Sequence, residues 1–167
     1  MSIKRFVIAG LLAITAQAWA QVQITIEDAW VRGTVAQQKA TGAFMRLTAT
    51  QNARLVAAES PVAGVVEIHE MAMENNVMKM RAVPGLELAA GRTVELKPGG
   101  FHVMLMDLKQ AIKPGDTVPL TLVFEDANQL RFTQQIQAPV RALASGQSGH
   151  GHHGQPQAPA GHGGHKH

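Results

Sequence analysis

Between Gln21 and about Arg141 the sequence alternates apolar and polar residues in short runs, broken roughly every ten residues by turn formers, and this period of two most limits the fold. The runs are Ile24–Arg32, Ala43–Ala49, Arg54–Ala58, Val65–Met73, Met78–Val83, Thr93–Leu96, His102–Leu108, Thr117–Glu125 and Leu130–Ile136. Turn signals separate them: Thr41-Gly42, Asn75-Asn76, Pro84-Gly85, Pro98-Gly99-Gly100, Pro114-Gly115-Asp116 and Asp126-Ala127-Asn128. No segment sustains a period of 3.6, so the pattern predicts strands and not helices. Short strands at this spacing favour an antiparallel sandwich or barrel. No internal repeat suggests a solenoid or propeller. At 167 residues one domain is expected, since a chain of about 150 residues buries roughly 68–70% of its unfolded surface.

Both ends differ from this middle. Residues 1–20 combine Lys4 and Arg5, an apolar run from Phe6 to Ile14, and the small-residue pattern Ala18-Trp19-Ala20. That is the form of a secretory signal peptide, expected to be cleaved after Ala20. The rival is an uncleaved anchor, but the apolar run is shorter than the ~20 residues that cross a bilayer. Residues 21–140 form the expected folded domain, and 141–167 a flexible tail. The last 26 residues hold seven Gly and six His (His150, His152, His153, His162, His165 and His167) and almost no large apolar side chain. A cloning tag is the bland alternative, but these histidines are scattered among Gly, Gln and Pro.

Composition removes several chemistries. With no Cys there is no disulfide, thiolate metal site or cysteine nucleophile. Stability after export must come from packing. The full sequence has only seven aromatics, and without Lys4 and Arg5 it carries 13 cations and 12 anions. A basic stripe and base-stacking platforms are both missing, which argues against nucleic acid.

The chemistry gathers elsewhere. Six methionines (Met71, Met73, Met78, Met80, Met104 and Met106) and both histidines outside the tail fall within residues 69–80 and 102–106. On a strand, alternate residues share a face, so His69, Met71 and Met73 point one way, and His102, Met104 and Met106 likewise. Val103 and Leu105 then face the core. Asn75-Asn76 is a plausible two-residue hairpin loop, because both positions tolerate positive φ. That loop pairs Glu74 with Val77, Met73 with Met78 and Met71 with Met80, and leaves His69 diagonal to Met80. A longer loop would change these pairs, yet either one gathers an imidazole and several thioethers on one surface.

Methionine in a strand is usually core filler, and a lone His on an apolar face is usually a satisfied core group. For eight such residues together that explanation is weak, because Ile, Val and Leu fill a β core better. Thioether sulfur is neutral and soft, with little affinity for Zn²⁺, Mg²⁺ or Ca²⁺, whereas a mixed His/Met set suits Cu(I). An enzyme is not expected. Glu67, Glu70, Glu74 and Asp107 lie near the cluster without forming a recognisable pair, and no nucleophile elbow, HExxH or phosphate loop occurs.

The spacing of His69, ten residues, Met80, twenty-one residues, His102, one residue and Met104 resembles the copper-binding motif of the periplasmic copper chaperone family PCu(A)C. Ala29-Trp30-Val31-Arg32, Gly42-Ala43-Phe44-Met45 and the stretch from Pro98 to Met106 are similar to strands of that family. The likeness covers about residues 22–138, with Phe101 where Leu is usual. It implies a cupredoxin-like antiparallel β-sandwich that binds one Cu(I) through His69, Met80, His102 and Met104. Met71, Met73, Met78 and Met106 would shield the site or lend sulfur during handover. The implied acceptor is the Cu(A) subunit of cytochrome c oxidase, or a Sco-type thiol copper protein. The chain is expected to be a periplasmic monomer with no stable membrane insertion after signal cleavage. Similar His-rich extensions occur in the family, and the tail histidines are expected to recruit Cu(II). Two other readings stay open: a copper-sequestering tolerance protein, and a β-sandwich that binds a partner through a Met-rich surface.

Overall fold

The computed structural model describes residues 21–142. The expected signal peptide and the six tail histidines lie outside the described residues. Ten strands follow one another: β1 (Ile24–Arg32), β2 (Ala40–Ala49), β3 (Ala53–Glu59), β4 (Ala63–Glu74), β5 (Val77–Ala82), β6 (Leu86–Leu88), β7 (Thr93–Leu96), β8 (His102–Leu108), β9 (Thr117–Asp126) and β10 (Arg131–Arg141). No helix occurs among the described residues. The expected all-β class holds.

The hydrogen-bonded order is β5-β4-β8-β2-β1-β10-β9-β3-β6, with β7 also paired to β2. All pairings are antiparallel except β1 with β10, which run parallel through Val31↔Val140 and Arg32↔Arg141. These are the first and last strands of the domain, so no hairpin constrains their direction. Both halves of this path feed one core. Leu47, Val103 and Leu105 come from one half, Leu55, Leu120, Leu122 and Phe124 from the other, and all are essentially inaccessible to water. Each such side chain stabilises the fold by roughly 1.5–3 kcal/mol relative to exposure.

Two details depart from the sequence expectations. Thr41-Gly42 is not a turn but lies inside β2. The Thr41 hydroxyl donates to the Arg32 carbonyl at 2.6 Å, and a Cβ on Gly42 would come within 2.8 Å of Phe44 Cζ. The glycine is there to seat an aromatic ring, a use that a turn signal resembles in sequence. The three-residue β6 was not expected, being too short to show alternation.

A register shift between Glu27 and Trp30 interrupts β1, with Asp28 at φ +50°. Strict alternation from Ile24 and Ile26 would turn Trp30 inward. The irregularity reverses the phase, so Val31 is fully buried while Trp30 and Arg32 lie partly exposed on the outer face.

Candidate metal centre

The hairpin of β4 and β5 has the register read from the sequence. Met71 faces Met80, Met73 faces Met78, and Glu74 faces Val77. Asn75 and Asn76 sit at φ +51° and +61°, the pair of left-handed positions that a type I′ loop requires. β8 then lies along the other edge of β4, with His69 opposite His102, Ile68 opposite Val103 and Glu67 opposite Met104. Because side chains alternate, Glu67, His69 and Met71 of β4 share one outer face with Met80 of β5 and His102 and Met104 of β8. Val103 and Leu105 are buried on the opposite face, as expected.

Each imidazole has one nitrogen committed to a protein acceptor. The Nδ1–H of His102 donates to the Gly100 carbonyl at 3.0 Å. A neutral ring with its proton there keeps a lone pair on Nε2, and that atom stands 3.1 Å from the Met80 sulfur. The Gly100 carbonyl also accepts the backbone N–H of Met71, tying the turn before β8 to the middle of β4. On His69, Nε2–H donates to the Glu67 carboxylate at 2.7 Å. Its Nδ1 is buried without a hydrogen-bond partner. A buried acceptor nitrogen left unpaired is unfavourable unless something occupies it. The ring centres of His69 and His102 are 5.9 Å apart.

Donor chemistry of this kind fits a soft, monovalent cation: two imidazole nitrogens with free lone pairs and neutral thioethers, with Glu67 turned to an imidazole N–H. Burial holds the His102 ring below the usual imidazole pKa, opposed by the Gly100 hydrogen bond and reinforced by the neighbouring His69 ring and the Arg32 charge. The shift favours the neutral, electron-donating form of the ring.

The remaining candidates divide. Met71 lines a hollow together with Met80, His102 and Met104. Met73 and Met78 stand further out towards the hairpin loop, 63% and 46% exposed. Met106 lies in the other direction along β8, opposite Val65 and Ala40.

Residues 24–140 match the sequence model of the family described as "Putative lipoprotein LpqE-like". Solved structures similar to this chain include PCuAC domains. The chain is a PCu(A)C-type member of the LpqE-like family. It is 32% identical to the Cu(I) form of DR1885 from Deinococcus radiodurans, covering 73% of this chain and 81% of that one, with a TM-score of 0.56. It is 26% identical to the copper-bound PCuAC domain from PmoF2, covering 72% and 93%, with a TM-score of 0.59. Among curated sequences, the putative lipoprotein Lxx21020 of Leifsonia xyli subsp. xyli is 31% identical over 119 residues, 71% of this chain and 69% of that protein.

Sequence reasoning missed the outer wall of this PCu(A)C site. Phe44 is buried although it is on the outer face, tilted against Trp30 at 4.5 Å between ring centres and lying 6.3 Å from His102. Arg32 stacks over Phe44 at 5.4 Å and Arg141 over Trp30 at 5.1 Å. The Trp30-Val31-Arg32 and Gly42-Ala43-Phe44 stretches contributed to the family likeness without showing why they matter. Glu67 has a legible signal, two residues before His69 and so on its face, which marks it as an imidazole partner and not as half of a catalytic pair.

Proposed function

We propose that this chain is an exported copper carrier that binds one Cu(I) through His69, Met80, His102 and Met104 and passes it towards the Cu(A) centre of cytochrome c oxidase, directly or through a Sco-type thiol protein. The observation that carries the reading is the paired tautomer control, in which the Glu67 carboxylate and the Gly100 carbonyl each hold one imidazole proton and leave one lone pair per ring. Charge-neutral donors suit transfer, because copper can leave by ligand exchange without a methionine taking up a proton. Similarity to proteins described as copper-bound PCuAC domains supports the cargo. Relatives described as lipoproteins, together with the signal-like residues 1–20, support export. A lipid anchor on cysteine is excluded for this chain, which has none.

The tail, residues 141–167, acts as a second, harder site in this proposal, with His150, His152, His153, His162, His165 and His167 collecting Cu(II) beside the domain. The test is anaerobic Cu(I) titration against a competing chelator, using the mature chain, a chain ending at Arg141, and one carrying Met80→Ile with Met104→Ile. One tight equivalent that survives truncation and disappears with the methionines is expected. Binding that follows the tail and ignores the methionines would overturn the carrier reading.

A further inference from the structure

Arg32 is the charged group in the hollow to which the copper reading gives no role. It lines that hollow with Met80, His102 and Met104. Its guanidinium carbon is 5.4 Å from the centre of the Phe44 ring, and that centre is 6.3 Å from the centre of His102. Stacking on an aromatic face favours a cation at this distance. The platform itself is held from two sides, by Trp30 and by the close approach to Gly42. Among the described residues Arg32 makes no ion pair, whereas Arg46, Arg54, Arg81 and Arg131 each pair with a glutamate. Arg32 is therefore a positive charge beside the neutral donors Met80, His102 and Met104, not cancelled by a carboxylate of its own.

Each unit of charge on a bound ion meets the same repulsion from Arg32, so a divalent ion meets twice what a monovalent ion meets. The excess is one full charge–charge interaction. On the order of 10 Å apart, at an effective dielectric of 20 to 40, that amounts to roughly fourfold to fifteenfold in relative affinity. Glu67 attracts either ion from the β4 side, but removing Arg32 shifts the balance in the same direction whatever that offset is.

Resting on the copper reading of the site, we propose that Arg32 is a specificity residue, whose fixed charge makes the His/Met centre discriminate against Cu(II) and other divalent ions beyond what ligand softness achieves. Thioethers select by polarisability and the guanidinium by charge, so together they separate Cu(I) from both Zn²⁺ and Cu(II).

The test compares the full mature chain with Arg32→Gln, Arg32→Met and Arg32→Lys. Cu(I) affinity is read by chelator competition. Cu(II) at the centre is read by quenching of Trp30, the one tryptophan remaining after residue 20. Arg32→Gln and Arg32→Met should tighten Cu(I) modestly and Cu(II) more, raising the Cu(II)/Cu(I) affinity ratio roughly fourfold to fifteenfold. Arg32→Lys should keep the wild-type ratio. Met preserves apolar cover over Phe44, so it carries the same expectation if Gln proves unstable. An unchanged ratio in the neutral variants, or an equal shift in Lys and Gln, would overturn the charge role while leaving the carrier reading intact. Failure of the unaltered chain to bind one Cu(I) would instead overturn the carrier reading itself.

Discussion

His69 on β4 and His102 on β8 are register partners with ring centres 5.9 Å apart, yet their imidazoles are anchored through opposite nitrogens. His69 uses Nε2–H to reach Glu67, and His102 uses Nδ1–H to reach Gly100. The free donor is therefore Nδ1 on one ring and Nε2 on the other. Two equivalent residues on adjacent strands thereby present different free nitrogens through their hydrogen-bond partners alone.

Replacing Met80 by Ile separates the site from the fold. Met80 is 48% exposed, so thermal unfolding of the metal-free protein should change by no more than about 0.5 kcal/mol. Cu(I) affinity in chelator competition should fall at least tenfold, since the sulfur beside His102 Nε2 is lost and isoleucine offers no donor.

Glu67→Ala should lower Cu(I) affinity by about 10- to 100-fold, the usual range for removing the group that orients a ligating imidazole. Glu67→Gln keeps an acceptor oxygen and should recover part of the loss. Proton NMR of the His69 ring checks the cause, because its Nε2–H, held by the Glu67 carboxylate, should exchange with water slowly in the unaltered protein and fast in the alanine variant.

Acid should weaken the metal-free fold through His102. Burial lowers its pKa in the folded protein, so the unfolded chain binds a proton at a higher pH than the folded one does. The stabilising contribution is complete above the ordinary imidazole pKa, about 6.5. It falls as the pH drops from there to the depressed folded value and is constant below that. Denaturant melts between pH 7.5 and 4.5 should show a steeper loss of stability in the unaltered protein than in His102→Asn.

Gly42→Ala tests the aromatic wall. The new methyl would lie 2.8 Å from Phe44 Cζ, so the ring must shift, and overpacking of this kind destabilises by about 1–3 kcal/mol. Denaturant midpoints measure that change. Because Phe44 packs against Trp30 with ring centres 4.5 Å apart, the Trp30 emission should change with it.

The strands of this PCu(A)C domain were legible wherever the two faces of a strand meet different environments. The β4–β5 register could be counted outward from Asn75-Asn76, since a two-residue loop leaves no slack. The family motif supplied the four candidate donors, and their placement on alternate positions follows from strand geometry alone. Gly42 was read as a turn because a sequence does not say what will lie over a glycine.

Local alternation and turn chemistry, both short-range, thus sufficed to decide from the sequence alone that the chain would be all-β, that Val103 and Leu105 would face inward, and which sulfur and imidazole groups would share a hairpin. Only the tertiary structure decided that β8 pairs with β4 so that His102 lies opposite His69. The same is true of the irregularity in β1 that turns Trp30 and Arg32 outward, and of the carbonyl and carboxylate that fix the two imidazole protons. These depend on contacts between residues far apart in the chain or on a single extra residue in a strand, and a period-two pattern carries no information about either.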